Sequence, residues 1–202
     1  MKFGEWCNRQ AVKPDKTALL SIGTDGLGRS ANLMAVCLLD ADTLTLTRHF
    51  ITGADAGAVV GITGIPVDQY DAERKACEDV QKLLKEHMSL RPFVVTYAYK
   101  FAAPFLGGNF PGVFPCNRLL DIQRLGSRIA QGQVQSFSEF SSWGHLCAWS
   151  QTKLAEDTPP LKLDELFRLA SGTTEDQLFG EGIPQLYLRP RQLAVIWAWM
   201  QA

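Results

Sequence analysis

Apolar and polar residues fall in blocks along the chain, and the blocks predict a sheet with helices packed onto it. Ala18-Leu19-Leu20-Ser21-Ile22-Gly23-Thr24-Asp25-Gly26-Leu27-Gly28 is a short apolar run punctuated by glycine, the pattern of a buried strand entering a turn. Residues 32–39 are nearly all apolar and predict a second buried strand, followed by the polar turn Asp40-Ala41-Asp42. Thr43-Leu44-Thr45-Leu46-Thr47 then alternates with period two toward Phe50, as a half-exposed strand does. Three strands joined by short turns make an antiparallel meander.

The second half reads as helix and strand in turn. Residues 53–71 form a long connection, and a helix is expected over about 71–88, with Ala76, Val80, Leu83 and Leu84 on one stripe. Pro92–Tyr97 is a fourth strand, parallel to the first because a helical crossover joins them. The glycines and prolines of 107–115 predict a loop. Helices are expected over 117–130 (Leu119, Ile122, Leu125 and Ile129 inward) and over 136–149. A last helix starts at Arg189-Pro190, with proline in its first turn and Leu193, Ile196, Trp197 and Met200 facing the core. Residues 1–16 are mixed and polar, an N-terminal lead-in.

Composition narrows the classes. With 202 residues and 46% hydrophobic content the chain can bury a substantial core. A formal charge of −1 supplies no global field that would draw it to nucleic acid. Five scattered cysteines without a CxxC pair indicate neither a zinc ribbon nor a disulfide framework, and reduced thiols in a cytoplasmic protein are expected. No apolar run approaches the roughly 20 residues that span a bilayer, so no membrane partner is expected.

The opening strand resembles that of the DnaQ-like 3′–5′ exonucleases, which reads apolar-apolar-Asp-x-Glu-Thr-x-Gly-Leu. Thr24, Gly26 and Leu27 agree with it, while Ser21 and Gly23 stand where the family has its two acids. A second stretch, Val94 to Leu106, matches the family at Phe101, Phe105 and Leu106; the family's His-Asn pair falls on Tyr97-Ala98 and its acid on Ala102. In the final segment spacing puts Tyr187 at the position of the water-orienting His or Tyr and Gln192 at the fourth acid. Leu161 to Leu166 resembles the family's short Leu-Asp-x-Leu helix.

The resemblance implies an α/β fold: an RNase H-like mixed sheet, a three-stranded antiparallel meander plus parallel strands, flanked by helices. It implies a single exonuclease-type domain over 17–202 with a helical insertion around 131–157. Family members hold two divalent metals on four carboxylates, and Ser, Gly, Ala and Gln are poor ligands for hard cations. The expectation is a catalytically degenerate site at Ser21, Gly23, Ala102, Tyr187 and Gln192, with no cofactor. Thr24, Leu27, Tyr97, Tyr99 and Phe101 are the candidate binding residues, for single-stranded nucleic acid or for a protein partner. The alternative is an active exonuclease that holds Mg²⁺ or Mn²⁺ on relocated acids such as Asp25 or Asp176.

Other clusters read more simply as structure. Asp25 beside glycine is ordinary turn chemistry. Glu175 and Asp176 could be a shifted late acid but read more simply as an exposed helix start, and His145 with Cys147 as packing. Lys100, Arg118, Arg124 and Arg128 read either as a phosphate-binding face or as solvated helix charge. Exposed aromatics near Trp143 and Trp149 would mark a surface for self-association.

Overall fold

The computed structural model describes residues 1–26, 28, 30–53, 56–155 and 159–202, without the side chains of Ala56, Val59 and Ile62. The candidate binding residue Leu27 lies outside the described residues. Strands β1 (Thr17–Thr24), β2 (Leu33–Asp40), β3 (Leu46–Phe50), β4 (Phe93–Thr96) and β5 (Leu119–Asp121) form one sheet in the order β3-β2-β1-β4-β5. β1 is antiparallel to β2 and β2 to β3, whereas β4 runs parallel to both β1 and β5. The meander and the parallel fourth strand are thus as the hydrophobic pattern predicts.

Every residue of β1 and β2 is buried, because helices cover both faces of the sheet. Strand alternation divides the core. Leu19, Leu39, Val95 and Leu120 face one layer, and Leu20, Leu38, Val94 and Leu119 face the other. The helices are α1 (Phe3–Arg9), α2 (Ala56–Thr63), α3 (Val67–Glu73), α4 (Cys77–Leu90), α5 (Tyr99–Asn109), α6 (Ile122–Ala130), α7 (Trp143–Ser150), α8 (Leu163–Ser171), α9 (Glu175–Phe179) and α10 (Gln185–Gln201). α4 and α5 supply the second layer, with Val80, Leu84, Met88 and Leu106 inward; α1, α6, α7, α8 and α10 supply the first.

Several elements differ from their expected form, each for a local reason. Residues 1–16 are no polar lead-in: Phe3, Trp6 and Cys7 of α1 are buried, and Trp6 Nε1 donates to the Phe140 carbonyl at 2.7 Å. The alternating strand begins only at Leu46, because Asp40 to Thr45 closes a turn with Leu44 in left-handed conformation (φ 56°). The connection 53–71 holds α2 and the start of α3. α4 starts later than 71 because Lys75 is extended and bonds to the end of β3, donating to the Phe50 carbonyl at 2.9 Å; Ala76 is exposed. α5 continues through Gly107-Gly108, held by buried Leu106.

Residues 119–121 are strand, not helix, because Leu119 and Leu120 pair with Val94 and Val95. Asp121 then caps α6 by accepting from the Gln123 N–H at 3.1 Å. Residues 136–142 are irregular, with Phe137 and Phe140 packed against Phe3 and Trp149, and α7 begins only after its cap Ser142. α10 begins before Pro190, which lies inside the helix and is buried; the four residues predicted on its core stripe are all buried.

Truncating Trp6 to Ala removes the largest fully buried side chain and leaves the Phe140 carbonyl unpaired. The expected cost is about 3–5 kcal/mol in urea unfolding; a loss below about 1 kcal/mol would show that α1 is not integral to the core.

Candidate functional site

A cavity of about 540 Å³ opens where β1 and β4 end and α5, α8, α9 and α10 converge. Its floor is built by the sheet and by α10: Ser21 and Ile22 of β1, Thr96 of β4, Ala102 of α5, Gln192 and Leu193 of α10, all buried. Tyr97, Phe101 and Glu175 form half-buried walls, and Lys162, Asp164, Gln185 and Arg189 form an exposed rim. Among the described lining residues two cations, Lys162 and Arg189, balance two carboxylates, Asp164 and Glu175.

The chain reaches this arrangement through a tight corner. Ala98, between β4 and α5, holds φ 53° and ψ 59°, a conformation that residues with a Cβ rarely adopt. The corner brings Phe101 and Ala102 of α5 to the cavity. Tyr97 is held by α6: Gln123 Nε2 donates to its hydroxyl at 2.8 Å, and that hydroxyl donates to the Leu161 carbonyl at 3.3 Å. Burial pushes the Tyr97 phenol up to about 12, so it stays protonated and can donate.

The predicted site residues separate into two groups. Ser21, Ala102, Gln192, Tyr97 and Phe101 line the cavity together. Gly23, Thr24, Tyr99 and Tyr187 do not. A Cβ on Gly23 would meet Leu186 Cδ1 at 3.3 Å and Thr63 Cγ2 at 3.4 Å, so apolar packing occupies the place where a Glu side chain would begin. Thr24 donates to the Gly26 carbonyl at 2.6 Å, and Tyr99 packs with the layer of α4 and α5. Tyr187 points to the other side of α10, against the Arg48 guanidinium 5.4 Å from its ring centre. It is therefore not placed to orient a ligand in the cavity.

Glu175, weighed in sequence as a shifted late acid but read as an exposed helix start, is half-buried instead. It reaches the cavity wall and accepts from Gln192 Nε2. Gln185, Arg189, Lys162 and Asp164 were not singled out in sequence, and the spacing of 185 and 189 from 192 along one helix face is the signal that could have found two of them. Asp25 accepts from the backbone and side-chain N–H groups of Asn32, at 2.6 and 2.8 Å, and Asp176 is exposed; neither lines the cavity.

The other candidate clusters are committed elsewhere. Arg124 donates to the Gln151 and Thr152 carbonyls, and buried Arg128 donates to those of Trp149, Thr152 and Lys153, so neither belongs to a phosphate-binding face. Lys100 and Arg118 are exposed. Trp143 is buried and donates to the Arg118 carbonyl, and Trp149 stacks on Arg128, which removes the expected aromatic surface. His145 is exposed while Cys147 is buried.

Divalent metals on carboxylates do not fit this donor set. Among the described residues no group of three or more His, Cys, Asp or Glu side chains converges as metal ligands. Among the described residues, the carboxylates that line the cavity are Glu175 and Asp164, from helices rather than from the sheet.

The mixed five-stranded sheet flanked by helices is an RNase H-like α/β fold. Among solved structures the chain is similar to one described as the crystal structure of a full-length 3′-exonuclease, at 12% identity and a TM-score of 0.51. The similarity covers 90% of this chain and 59% of that exonuclease, and at this identity it shows the fold alone. No protein-family model and no curated protein matches the sequence. No helix among the described residues is long and apolar enough to cross a membrane.

These contacts carry two consequences for stability. Gly23→Glu forces a carboxylate against Leu186 and Thr63, and should lower stability by about 3 kcal/mol or more with no recovery in Mn²⁺; a thermal melt restored by Mn²⁺ would place position 23 in a metal site. Separately, burial outweighs Arg124, 3.7 Å away, and pushes the Asp121 carboxyl up to about 6. The folded state then keeps a proton that the unfolded chain releases at the ordinary value near 4. This contribution to stability is complete below about pH 4 and is lost as pH rises through about 6. Relative to Asp121→Asn, wild type should lose on the order of 3 kcal/mol between pH 4 and 7 in urea titrations; a pH-independent difference would mean an unshifted carboxyl.

Proposed function

We propose that this protein is a catalytically degenerate relative of the DnaQ-like 3′–5′ exonucleases, whose cavity binds the end of a single-stranded nucleic acid without metal. One observation carries the reading. Three of the four positions that would hold the family's acids, Ser21, Ala102 and Gln192, line one cavity, and none is acidic. The cavity sits at the carboxyl ends of the parallel strands β1 and β4, where open α/β sheets place their ligands.

The lining supplies what binding needs and lacks what hydrolysis needs. Tyr97 and Phe101 offer faces on which a base stacks. Lys162 and Arg189 stand at the rim for phosphate, and the Arg189 guanidinium makes no hydrogen bond or ion pair among the described residues. In the exonucleases the chain resembles, water is activated by metals held on anionic oxygens. Ser21, Ala102 and Gln192 cannot provide that charge.

The test is fluorescence anisotropy with short labelled DNA and RNA strands in EDTA. Binding is expected at low salt. About two phosphate contacts, from Lys162 and Arg189, predict a slope near −1.4 for log affinity against log salt. Incubation with Mg²⁺ or Mn²⁺ should release no mononucleotides. No binding even at low salt would overturn the nucleic-acid reading in favour of a protein partner. Mn²⁺-dependent release would instead favour the active enzyme with relocated acids.

A further inference from the structure

We infer that the floor of the cavity is a hydrogen-bond acceptor that selects ligands carrying an N–H group, with Glu175 as the residue that sets this selectivity; the inference rests on the reading of the cavity as a nucleotide-end site. Gln192 is 3% exposed, and its Nε2 donates to Glu175 Oε1. A carboxylate accepts and does not donate, so this bond fixes which way the amide faces. The nitrogen is spent on Glu175, and the oxygen, Oε1, is left buried without a partner. Ser21 Oγ, on β1 in the same floor, is also buried without a partner.

Two unpaired buried polar atoms under one cavity are a costly state, which a ligand relieves. Gln192 Oε1 can only accept. Ser21 Oγ can accept or donate, and its hydroxyl turns to suit. Both atoms are shielded from water, so a ligand bonds to them only by displacing the side chains that cover them. The complementary molecule carries an N–H beside a hydrogen-bond acceptor at one end and an anionic group at the other, with a flat ring between. The edge of a nucleobase has the first pair, Tyr97 and Phe101 flank the ring, and Arg189 and Lys162 meet the phosphate. The base therefore enters first and the phosphate stays at the rim. A cavity of about 540 Å³ is in the range of small-molecule sites.

Glu175 acts through Gln192 and not by touching the base. Replacing it with glutamine removes the direction: the new amide can accept from the Gln192 nitrogen or donate to its oxygen, and the floor then offers either a donor or an acceptor.

The experiment is isothermal titration of the full chain, in EDTA, with AMP and with purine riboside 5′-monophosphate. The two share ring, sugar and phosphate, and only AMP carries an N–H on the base edge. Wild type should bind AMP about tenfold more tightly, as expected for one hydrogen bond to a buried acceptor. In Glu175→Gln that preference should fall to about twofold or less, with affinity for purine riboside 5′-monophosphate little changed. Ser21→Ala should weaken AMP and keep the preference. Equal affinities in wild type would overturn the acceptor floor while leaving the nucleic-acid reading intact. Failure of both nucleotides and of single strands to bind would overturn that reading itself. A tenfold preference that survives in a folded Glu175→Gln variant would remove Glu175 from the assignment. If that variant does not fold, Glu175→Ala serves the same comparison.

Discussion

β1 lies at the centre of the sheet and is buried on both faces, so its residues are constrained together with those of α10, the helix that packs across it. Leu186 of α10 fills the space beside Gly23, and one and two turns further on Arg189, Gln192 and Leu193 meet the cavity that Ser21 floors. A larger residue at 23 would press on the Leu186 side chain of that helix. The buried Leu193, Ile196 and Trp197 tie the rest of the same helix to α1 and the first core layer. Fold and cavity therefore share one packing contact.

The identity of the lining residues sets the electrostatic character of the site. Carboxylates crowded in a poorly solvated cavity repel one another at several kcal/mol per pair unless cations lie between them. Here the floor is neutral, and the charged groups Lys162, Asp164 and Arg189 stay at the exposed rim, where water screens them. Glu175 reaches further in, on the amide of Gln192. Such a lining folds without help from a cation.

Much of the fold was legible because hydrophobic period and strand geometry report the same thing. β1, β2 and β4 are short, apolar and bounded by turn residues, and nothing competes with that reading. The failures lie where tertiary contacts override local pattern. Leu119-Leu120 continues a helical stripe in sequence, yet the open edge of β4 takes it as a strand. Pro190 has the form of a helix start, but buried Leu186 and Leu188 extend the helix ahead of it. Tyr187 shows why spacing misled at the site. On a continuous helix, residues five apart point about 140° away from each other, so Tyr187 and Gln192 cannot share the cavity, whereas 185, 189 and 192 can. Glu175 was illegible for another reason: its role depends on α9 folding back to Gln192, 17 positions away.

Ala98 bears on whether the cavity is merely a leftover of packing. Left-handed backbone at a residue with a Cβ costs on the order of 1 kcal/mol and persists only where the surroundings over-determine it. Here Tyr97, on one side, is fixed by Gln123 and Leu161, and Phe101, on the other, is fixed in the layer of α4 and α5. The strained corner thus holds two rings at the wall of a cavity that is also lined by two residues whose buried polar atoms have no partner among the described residues. Strain and unsatisfied polarity are both unfavourable in a packed core, where an apolar pair and a relaxed corner would be more stable. Their coincidence at one cavity has a physical rationale if an incoming ligand supplies the missing bonds and uses the rings that the corner positions.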